Sequence, residues 1–191
     1  MATICILQGH PDPAPGRFCH ALADAYRRGA EGAGHTVTTV NIAALDVPML
    51  RSAADFATPA TGDIAAAQAE IMAADHLVVI FPLWLGGMPA LLKAFFEQIA
   101  RGAFLIETQE KGWPLAHLKG KSARVIVTMG MPAPAYALFM GAHGVKSLEG
   151  GILGMAGVGP IHDSLIGGVE GDEKHRAEWL EKVEKLGAKG E

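Results

Sequence analysis

Short apolar runs alternate with amphipathic segments along the whole chain. Five runs are rich in β-branched residues and too short for an ordinary helix, which is typical of strands buried on both faces. They cover residues 2–7, 37–42, 77–81, 123–128 and 161–169. Because helical segments separate these runs, the pattern predicts an α/β fold: a three-layer α/β/α sandwich with an all-parallel sheet.

Apolar residues recur at helical spacing between the predicted strands. One set contains Phe18, Leu22 and Tyr26, and another contains Leu92, Phe95 and Ile99. Residues 64–73 form an alanine-rich helix and residues 172–186 a charged terminal helix, whereas an apolar run at 148–153 starts a further helix. Residues 45–61 are irregular and residues 103–118 read as a long loop that covers a site or meets a partner. The 191 residues are predicted to form one domain.

The most informative stretch is HLVVIFPLWLGGMPALLKAFFE, residues 76–97. Pro82 ends the strand because proline cannot donate to a sheet ladder. An apolar triplet, residues 83–85, then precedes a Gly86-Gly87 turn and a helix with Pro89 in its first turn. Open α/β sheets bind ligands in loops at the carboxyl ends of their strands. The stretch therefore predicts either a binding loop or an ordinary connection that is apolar by chance.

A second candidate loop, residues 10–16, follows the first strand and contains three prolines. The free N–H groups and dipole of the helix that follows favour a phosphate, and Arg17 in the first turn opposes that dipole unless an anion is present. The glycines form neither GxGxxG nor a P-loop, so a dinucleotide-binding Rossmann start and a P-loop NTPase are not supported. The alternative is a proline-rich loop that only caps a helix.

Composition narrows the class of protein. Half of the residues are hydrophobic, 19% are charged and the net charge is −4, with no lysine-arginine cluster, which argues against nucleic acid as a partner. The two cysteines and eight histidines lack the spacing of a disulfide framework or a metal site. No apolar run approaches about 18 residues and no signal peptide is recognisable, so we expect no membrane insertion and a cytoplasmic location.

The segment FPLWLGGMPALLKAFFEQI resembles the flavin-binding segment of the NAD(P)H:quinone oxidoreductase family, the DT-diaphorase-like flavodoxin-fold flavoproteins. Matching segments occur in the right order over nearly the whole chain. The resemblance implies a five-stranded parallel sheet in the order 2-1-3-4-5, with the loops after strands 1, 3 and 4 around one crevice.

The resemblance also assigns residues to flavin binding. In the first loop these residues include Cys19, which stands where the family usually has asparagine, and Arg17, which replaces a hydroxyl residue. Gln68 matches a family glutamine near the ribityl and phosphate part of the flavin, and as an isolated residue it would be an ordinary exposed helix position. The segment Thr128–Met131 resembles the family loop whose backbone amides bind the pyrimidine ring. The complete set is His10, Arg17, Phe18, Cys19, Gln68, Pro82, Leu83, Trp84, Leu85, Thr128, Met129, Gly130 and Met131.

Two further residues, Tyr136 and His143, match a tyrosine and a histidine that project over the flavin towards the substrate in the family. Here they are seven residues apart instead of six. The resemblance assigns them to stabilising or protonating the reduced acceptor, with Tyr136 on the loop after the fourth strand. The alternative for His143 is a surface histidine near a helix start.

The activity implied by the resemblance is a flavin-dependent NAD(P)H oxidoreductase that reduces quinones or similar acceptors by two electrons, with ping-pong kinetics. The cofactor would be FMN, or alternatively FAD, and the protein a homodimer whose site is completed by the second subunit. No metal is expected. The alternatives are a flavin-bearing regulatory subunit of a transport protein and a flavodoxin-like electron carrier, which the mild net charge fits less well.

Overall fold

A computed structural model of the protein describes residues 1–109 and 111–191. Its central sheet has five parallel strands in the order β2-β1-β3-β6-β7. When only these five strands are counted along the chain, their order in the sheet is 2-1-3-4-5. The predicted fold and topology are therefore confirmed. The strands are β1 (Thr3–Gln8), β2 (Thr36–Asn41), β3 (His76–Pro82), β6 (Ser122–Thr128) and β7 (Ile161–Ile166).

Helices cover both faces of the sheet. The two long helices α1 and α7 lie over one face, where Ile4, Ile6 and Ile126 are buried. The opposite face, with Val79, Phe81 and the other alternate side chains, packs against α3, α4 and the segment after α5. The helices are α1 (Phe18–Gly32), α2 (Ala53–Ala57), α3 (Gly62–Ala73), α4 (Ala90–Ile99), α5 (Ala133–Phe139), α6 (His143–Leu148), a π-helix (Glu149–Gly154) and α7 (Glu173–Lys189).

The structure corrects several predicted elements. The fifth strand ends at Ile166 instead of residue 169, and the predicted helix start at 148 lies at the end of α6, which begins at His143. The predicted long loop 103–118 contains a small antiparallel pair, β4 (Ile106–Glu107) and β5 (Leu115–Ala116). Glu110, which belongs to this predicted loop, lies outside the described residues.

The carboxyl ends of β1, β3 and β6 lie side by side. In the sheet register Gln8 is opposite Ile80, and Pro82 is opposite Thr128. Three connections therefore leave the sheet at one edge, which we call the carboxyl edge. None of the helices in the described ranges is long and apolar enough to cross a membrane.

Candidate functional site

The three loops at the carboxyl edge are joined through their main chains. Gly9 N donates to Ile80 O at 2.7 Å, which ties the loop after β1 to β3. Leu83 N donates to Thr128 O at 2.7 Å, which ties the loop after β3 to the end of β6. The fold thus brings together three of the sequence-predicted segments, residues 10–19, 82–85 and 128–131.

The loop between β1 and α1 is closed by local hydrogen bonds around Asp12. Its carboxylate accepts from Ala14 N and from Arg17 Nε, both at 2.8 Å, and its backbone N–H donates to His10 Nδ1 at 3.0 Å. The Ala14 amide and the Arg17 guanidinium hold the pKa of the Asp12 carboxyl below its usual value. Asp12 therefore supplies the anion that the sequence required near Arg17.

His10 occupies the side of this loop nearest to Trp84, with the two ring centroids 6.3 Å apart in an edge-on arrangement. Burial lowers the pKa of His10 below its usual value, and the nearby His20 and Arg17 act in the same direction. The imidazole is therefore neutral at pH 7. The Nδ1 atom lies 3.0 Å from Asp12 N and 3.2 Å from Asp12 O, so the loop backbone occupies this nitrogen and Nε2 is the ring nitrogen left to face a ligand.

The start of α1 lacks a side-chain cap. Arg17 occupies the N-cap position, and its side chain accepts no hydrogen bond from the helix. The first N–H groups of the helix, including that of Phe18, therefore point out of the helix end with the positive end of its dipole. Such an end binds phosphate through the backbone and needs no particular side chain.

Gln8, the last residue of β1, is a site residue that sequence reasoning missed. Its side chain is almost fully buried, and Oε1 accepts from His10 N at 3.1 Å. Its Nε2 has no hydrogen-bond partner among the described residues. A buried amide left without a partner costs about 1–3 kcal/mol, so a polar ligand at this edge would stabilise it. A polar residue ending an otherwise apolar strand was the signal available in the sequence.

Cys19 is buried in the first turn of α1, and its Sγ lies 3.3 Å from Thr128 Oγ1 at the end of β6. Burial raises the pKa of the Cys19 thiol to about 11, so the group is protonated at pH 7. Cys19 therefore links two elements of the site and offers no charge. It cannot replace the amide donors of the asparagine that the family usually has here.

The loop after β3 forms a tight turn in which Trp84 and Gly87 exchange two backbone hydrogen bonds of 2.9 and 3.0 Å. The two central residues, Leu85 and Gly86, have φ values of 49° and 79°. Both therefore lie in the left-handed region, which costs a leucine about 1–2 kcal/mol. The strained turn leaves Leu85 fully exposed and Trp84 half exposed. These two side chains present an apolar surface at the carboxyl edge, whereas Pro82 and Leu83 pack below it.

The loop after β6 carries Met129, Gly130 and Met131. The Met129 side chain is buried in the core and Met131 is exposed, so at Met129 only the backbone remains for a ligand. The residue after β7, Gly167, packs so closely on this loop that a β-carbon there would lie 2.6 Å from Met131 O. The backbone of this loop is thereby fixed from the β7 side.

Gln68 does not join the other predicted site residues in the structure. Its Nε2 donates to Ile99 O at 2.8 Å, and Arg101 O lies at 3.4 Å. The side chain thus satisfies carbonyls at the carboxyl end of α4. Its predicted role in flavin binding stays a prediction.

The prediction that Tyr136 lies on a loop is wrong, because Tyr136 belongs to helix α5. The side chain is fully buried, and its hydroxyl donates to Gly86 O at 3.0 Å and accepts from Val145 N at 3.4 Å. His143 is exposed at the start of α6. Tyr136 therefore supports the strained turn from behind, while the predicted action of both residues on an acceptor stays a prediction.

Gly144 is a second residue that sequence reasoning missed. A β-carbon at Gly144 would lie 2.1 Å from Gly86 O and 2.6 Å from the Gly87 Cα. Helix α6 therefore approaches the strained turn backbone to backbone. No sequence signal distinguishes Gly144 from the other glycines of this segment.

The arrangement fits a ligand that has both a phosphate and a flat ring. It offers an uncapped helix start for the phosphate, an unpaired Gln8 amide, and exposed Trp84 and Leu85 beside a fixed backbone loop. Within the described ranges, no group of three or more His, Cys, Asp or Glu side chains is placed to hold a metal ion.

Comparison with known proteins agrees with this arrangement. Over 62 residues the chain is 45% identical to FMN-dependent NADH:quinone oxidoreductase 1 of Jannaschia sp. strain CCS1, a segment that covers 32% of each protein. The segments aligned with the first four curated relatives cover only 29% to 55% of those proteins' lengths. The predicted relationship to the NAD(P)H:quinone oxidoreductase family is confirmed by such matches.

Solved structures match over nearly the full chain. Smu.1420 from Streptococcus mutans UA159 has a TM-score of 0.83 at 26% identity, covering 98% of this chain and 99% of that one. The NAD(P)H:quinone oxidoreductase from Methanothermobacter marburgensis also has a TM-score of 0.83, at 22% identity, covering 100% of this chain and 99% of that one. The latter likeness supports the fold alone. A family model described as a flavodoxin-like fold matches residues 2–189, and the chain therefore belongs to the family of flavodoxin-like-fold proteins.

Proposed function

We propose that this protein is an FMN-dependent oxidoreductase that uses NAD(P)H to reduce quinones or similar acceptors by two electrons. The observation that carries the proposal is the convergence of three loops at the carboxyl edge, where an uncapped helix start, an unpaired buried amide and an exposed tryptophan lie at one edge of the sheet. The similarity to the FMN-dependent NADH:quinone oxidoreductase of Jannaschia supports FMN over FAD and quinones as acceptors.

The loop after β1 would hold the phosphate of the cofactor. The backbone N–H groups at the start of α1 supply the donors, and the helix dipole favours the negative charge. Arg17 is paired with Asp12, so we assign it to shaping this loop more than to binding the phosphate directly. The neutral His10 ring and the Gln8 Nε2 add two donors beside the phosphate loop.

The loops after β3 and β6 would hold the isoalloxazine ring. Trp84 and Leu85 would exclude water from one side of the ring, and the backbone of residues 129–131 would bind its pyrimidine part. When bound, the cofactor supplies the chemistry by accepting a hydride from the nicotinamide and passing two electrons to the acceptor. Because the nicotinamide and the acceptor would share one face of the ring, we expect ping-pong kinetics.

The proposal is tested with the purified protein reconstituted with FMN and, separately, with FAD. We expect FMN to remain bound after desalting, and NADH or NADPH to be oxidised with menadione as acceptor. Parallel double-reciprocal plots would support the ping-pong sequence. A protein that retains neither flavin contradicts the proposal, and one that retains flavin without oxidising a nicotinamide contradicts the enzymatic part.

We also propose that the protein is a homodimer with its site completed by the second subunit. The support is exposed apolar side chains in two connections at the carboxyl edge: Leu138 and Phe139 in α5 are 80% and 87% exposed, and Leu85 in the turn after β3 is fully exposed. A groove of about 160 Å³, lined mainly by apolar side chains such as Phe56, Ile152 and Met155, lies on the α4 side of the sheet. Monomeric proteins rarely expose large continuous apolar patches. The cytoplasmic location stays a prediction.

Sedimentation at micromolar concentration tests the dimer. We expect a particle of twice the chain mass, and dissociation when Phe139→Glu places a charge on this surface. A wild-type protein that sediments only as a monomer contradicts the proposal.

A further inference from the structure

The loop between β7 and α7 folds back onto the loop that would carry the flavin ring. Gly168 N donates to Met131 O at 3.2 Å, and Val169 N donates to Met129 O at 3.3 Å. These two hydrogen bonds lie on either side of Gly130 in the chain. They fix the position of the next residue, Glu170, relative to Gly130.

The Glu170 carboxylate lies against Gly130. A β-carbon on Gly130 would be 3.3 Å from Glu170 Oε1 and 3.4 Å from its Cδ, tighter than an ordinary contact. Gly130 is therefore a position where the absence of a side chain lets a carboxylate approach the backbone. The same backbone is the one assigned to the pyrimidine part of the ring.

No ion pair neutralises Glu170 within residues 1–109 and 111–191. The basic side chains near the start of α7 bind carbonyls of the loop instead. Arg176 Nη1 donates to Val169 O at 2.9 Å and lies 3.4 Å from Gly171 O, while His175 Nε2 contacts Gly167 O at 3.0 Å. These contacts hold the loop, and they leave the carboxylate charge beside Gly130.

Resting on the proposed function, we propose that Glu170 is a tuning residue that lowers the reduction potential of the bound flavin. Hydride transfer from a nicotinamide brings two electrons and one proton, so the ring becomes more negative on reduction. A fixed carboxylate beside the pyrimidine loop disfavours that more negative form. Glu170 therefore weakens binding of the reduced cofactor relative to the oxidised one. The reduced cofactor thereby becomes a stronger electron donor towards the acceptor.

The test is the midpoint potential of the FMN-loaded protein, measured by equilibration with a reference dye. In Glu170→Gln we expect reduced FMN to gain about three- to tenfold in affinity relative to oxidised FMN. For a two-electron couple a tenfold gain raises the potential by about 30 mV. Glu170→Asp keeps the charge and should stay close to the wild type. Glu173→Gln, which removes a neighbouring carboxylate in the first turn of α7, is the matched control and should change the potential less.

A second measurement needs no variant. Because Glu170 is exposed, its effect should weaken with salt, so the wild-type potential should rise between about 20 mM and about 500 mM salt. This rise should be smaller in Glu170→Gln. If that variant fails to fold, a wild-type potential that does not change with salt overturns the inference.

Two outcomes with folded variants also overturn it: an unchanged potential in Glu170→Gln, or an equal shift in Glu173→Gln. In both cases FMN is bound, so the proposed function stands. If the wild-type protein binds no FMN, the proposed function fails before the inference is reached. The two failures are therefore distinguishable.

Discussion

The amino edge of the sheet, where the strands begin, and the carboxyl edge, where they end, differ in how their backbone is stabilised. At the amino edge the strand starts are bound to one another: Asp75 Oδ2 accepts from Thr3 N at 2.8 Å, and Asp75 O accepts from Ser122 N at 3.1 Å. At the carboxyl edge the helix start is uncapped and Leu85 is held in the left-handed region with its side chain in solvent.

The difference shows where the chain gives up stability. An uncapped helix start, an unpaired buried amide and a leucine with left-handed backbone angles each lower the stability of the fold by an amount on the order of 1–2 kcal/mol. Such features persist where the surrounding fold holds them in place. The amino edge and the buried strands supply that support. The carboxyl edge combines all three of these features, so ligand binding there can restore lost interactions, which is the basis of the proposed site.

The largest expected effect at the carboxyl edge comes from Gly144→Ala. The added methyl group meets the Gly86 carbonyl, so the strained turn must shift. We expect a loss of about 2–3 kcal/mol in the free energy of unfolding and weaker FMN binding. Gly150→Ala is the matched control, because a β-carbon there meets nothing within 4 Å. Urea unfolding and FMN titration of both variants check the prediction, and equal behaviour of the two would contradict the close approach.

The free energy of unfolding should depend on pH through His76, at the amino edge. This histidine is 3% exposed, and its Nδ1 lies 2.7 Å from Ser122 Oγ. Burial lowers the pKa of His76 from 6.5 to about 4. The unfolded chain therefore binds a proton that the folded one does not, and stability falls as the pH drops from about 6.5 towards about 4.

We expect this group alone to cost about 2 kcal/mol between about pH 7 and about pH 5. The measurement is urea unfolding of the wild type and of His76→Gln at both pH values. The variant should lose less stability on acidification than the wild type. His143→Gln, which removes an exposed histidine at the start of α6, serves as control and should lose as much stability on acidification as the wild type.

Trp84→Ala tests the apolar surface of the carboxyl edge. Half of this side chain is already exposed, so the free energy of unfolding should change by less than about 1 kcal/mol. FMN affinity should fall about tenfold, because a stacking partner of the ring is lost. Trp113→Ala removes an exposed tryptophan from the β4–β5 loop and should leave FMN affinity unchanged. Equal FMN affinity in the wild type and Trp84→Ala would remove Trp84 from the site.

Tyr136→Phe tests a single buried hydroxyl group and should have a small effect on the free energy of unfolding. It removes the hydroxyl that binds Gly86 O and Val145 N, a loss of about 1 kcal/mol. Tyr26→Phe is a matched control, since its hydroxyl binds Glu191 O on the opposite face of the sheet.

If Tyr136 acts on the acceptor, the Tyr136→Phe variant keeps its flavin and shows a slower oxidative half-reaction in stopped flow, whereas Tyr26→Phe does not. An unchanged oxidative rate together with lost flavin would mean that Tyr136 only supports the turn. This comparison separates the predicted role from the contact that the structure shows.

Much of the fold could be read from the sequence because buried parallel strands appear as continuous β-branched runs. The order of the loops around the crevice followed from the family resemblance. Helix α5 was missed, and its start carries Pro132 and Pro134, which are tolerated there because the first N–H groups of a helix have no partner within it. The spacing of the motifs in the sequence predicted which loops lie together. It did not predict the hydrogen-bond partners of individual side chains.

Three residues illustrate this limit. Cys19 contacts Thr128, which is 109 positions away in the sequence. Gln68 binds a carbonyl at the end of α4, a contact that no local sequence pattern predicts. The Gln8 amide is unpaired only because of how the loop after β1 folds over it. Each depends on tertiary contacts that a single sequence does not encode as a local signal.

The most direct test of the proposed flavin site is a titration of the flavin-free protein with FMN, monitored by the change in flavin fluorescence and repeated with Gly144→Ala. We expect the wild type to bind one FMN per chain and the variant to bind FMN markedly more weakly, because both the ring and the phosphate sites depend on the carboxyl edge. Absence of saturable binding of FMN or FAD by the wild type would contradict it, as would equal affinity of the two proteins for FMN.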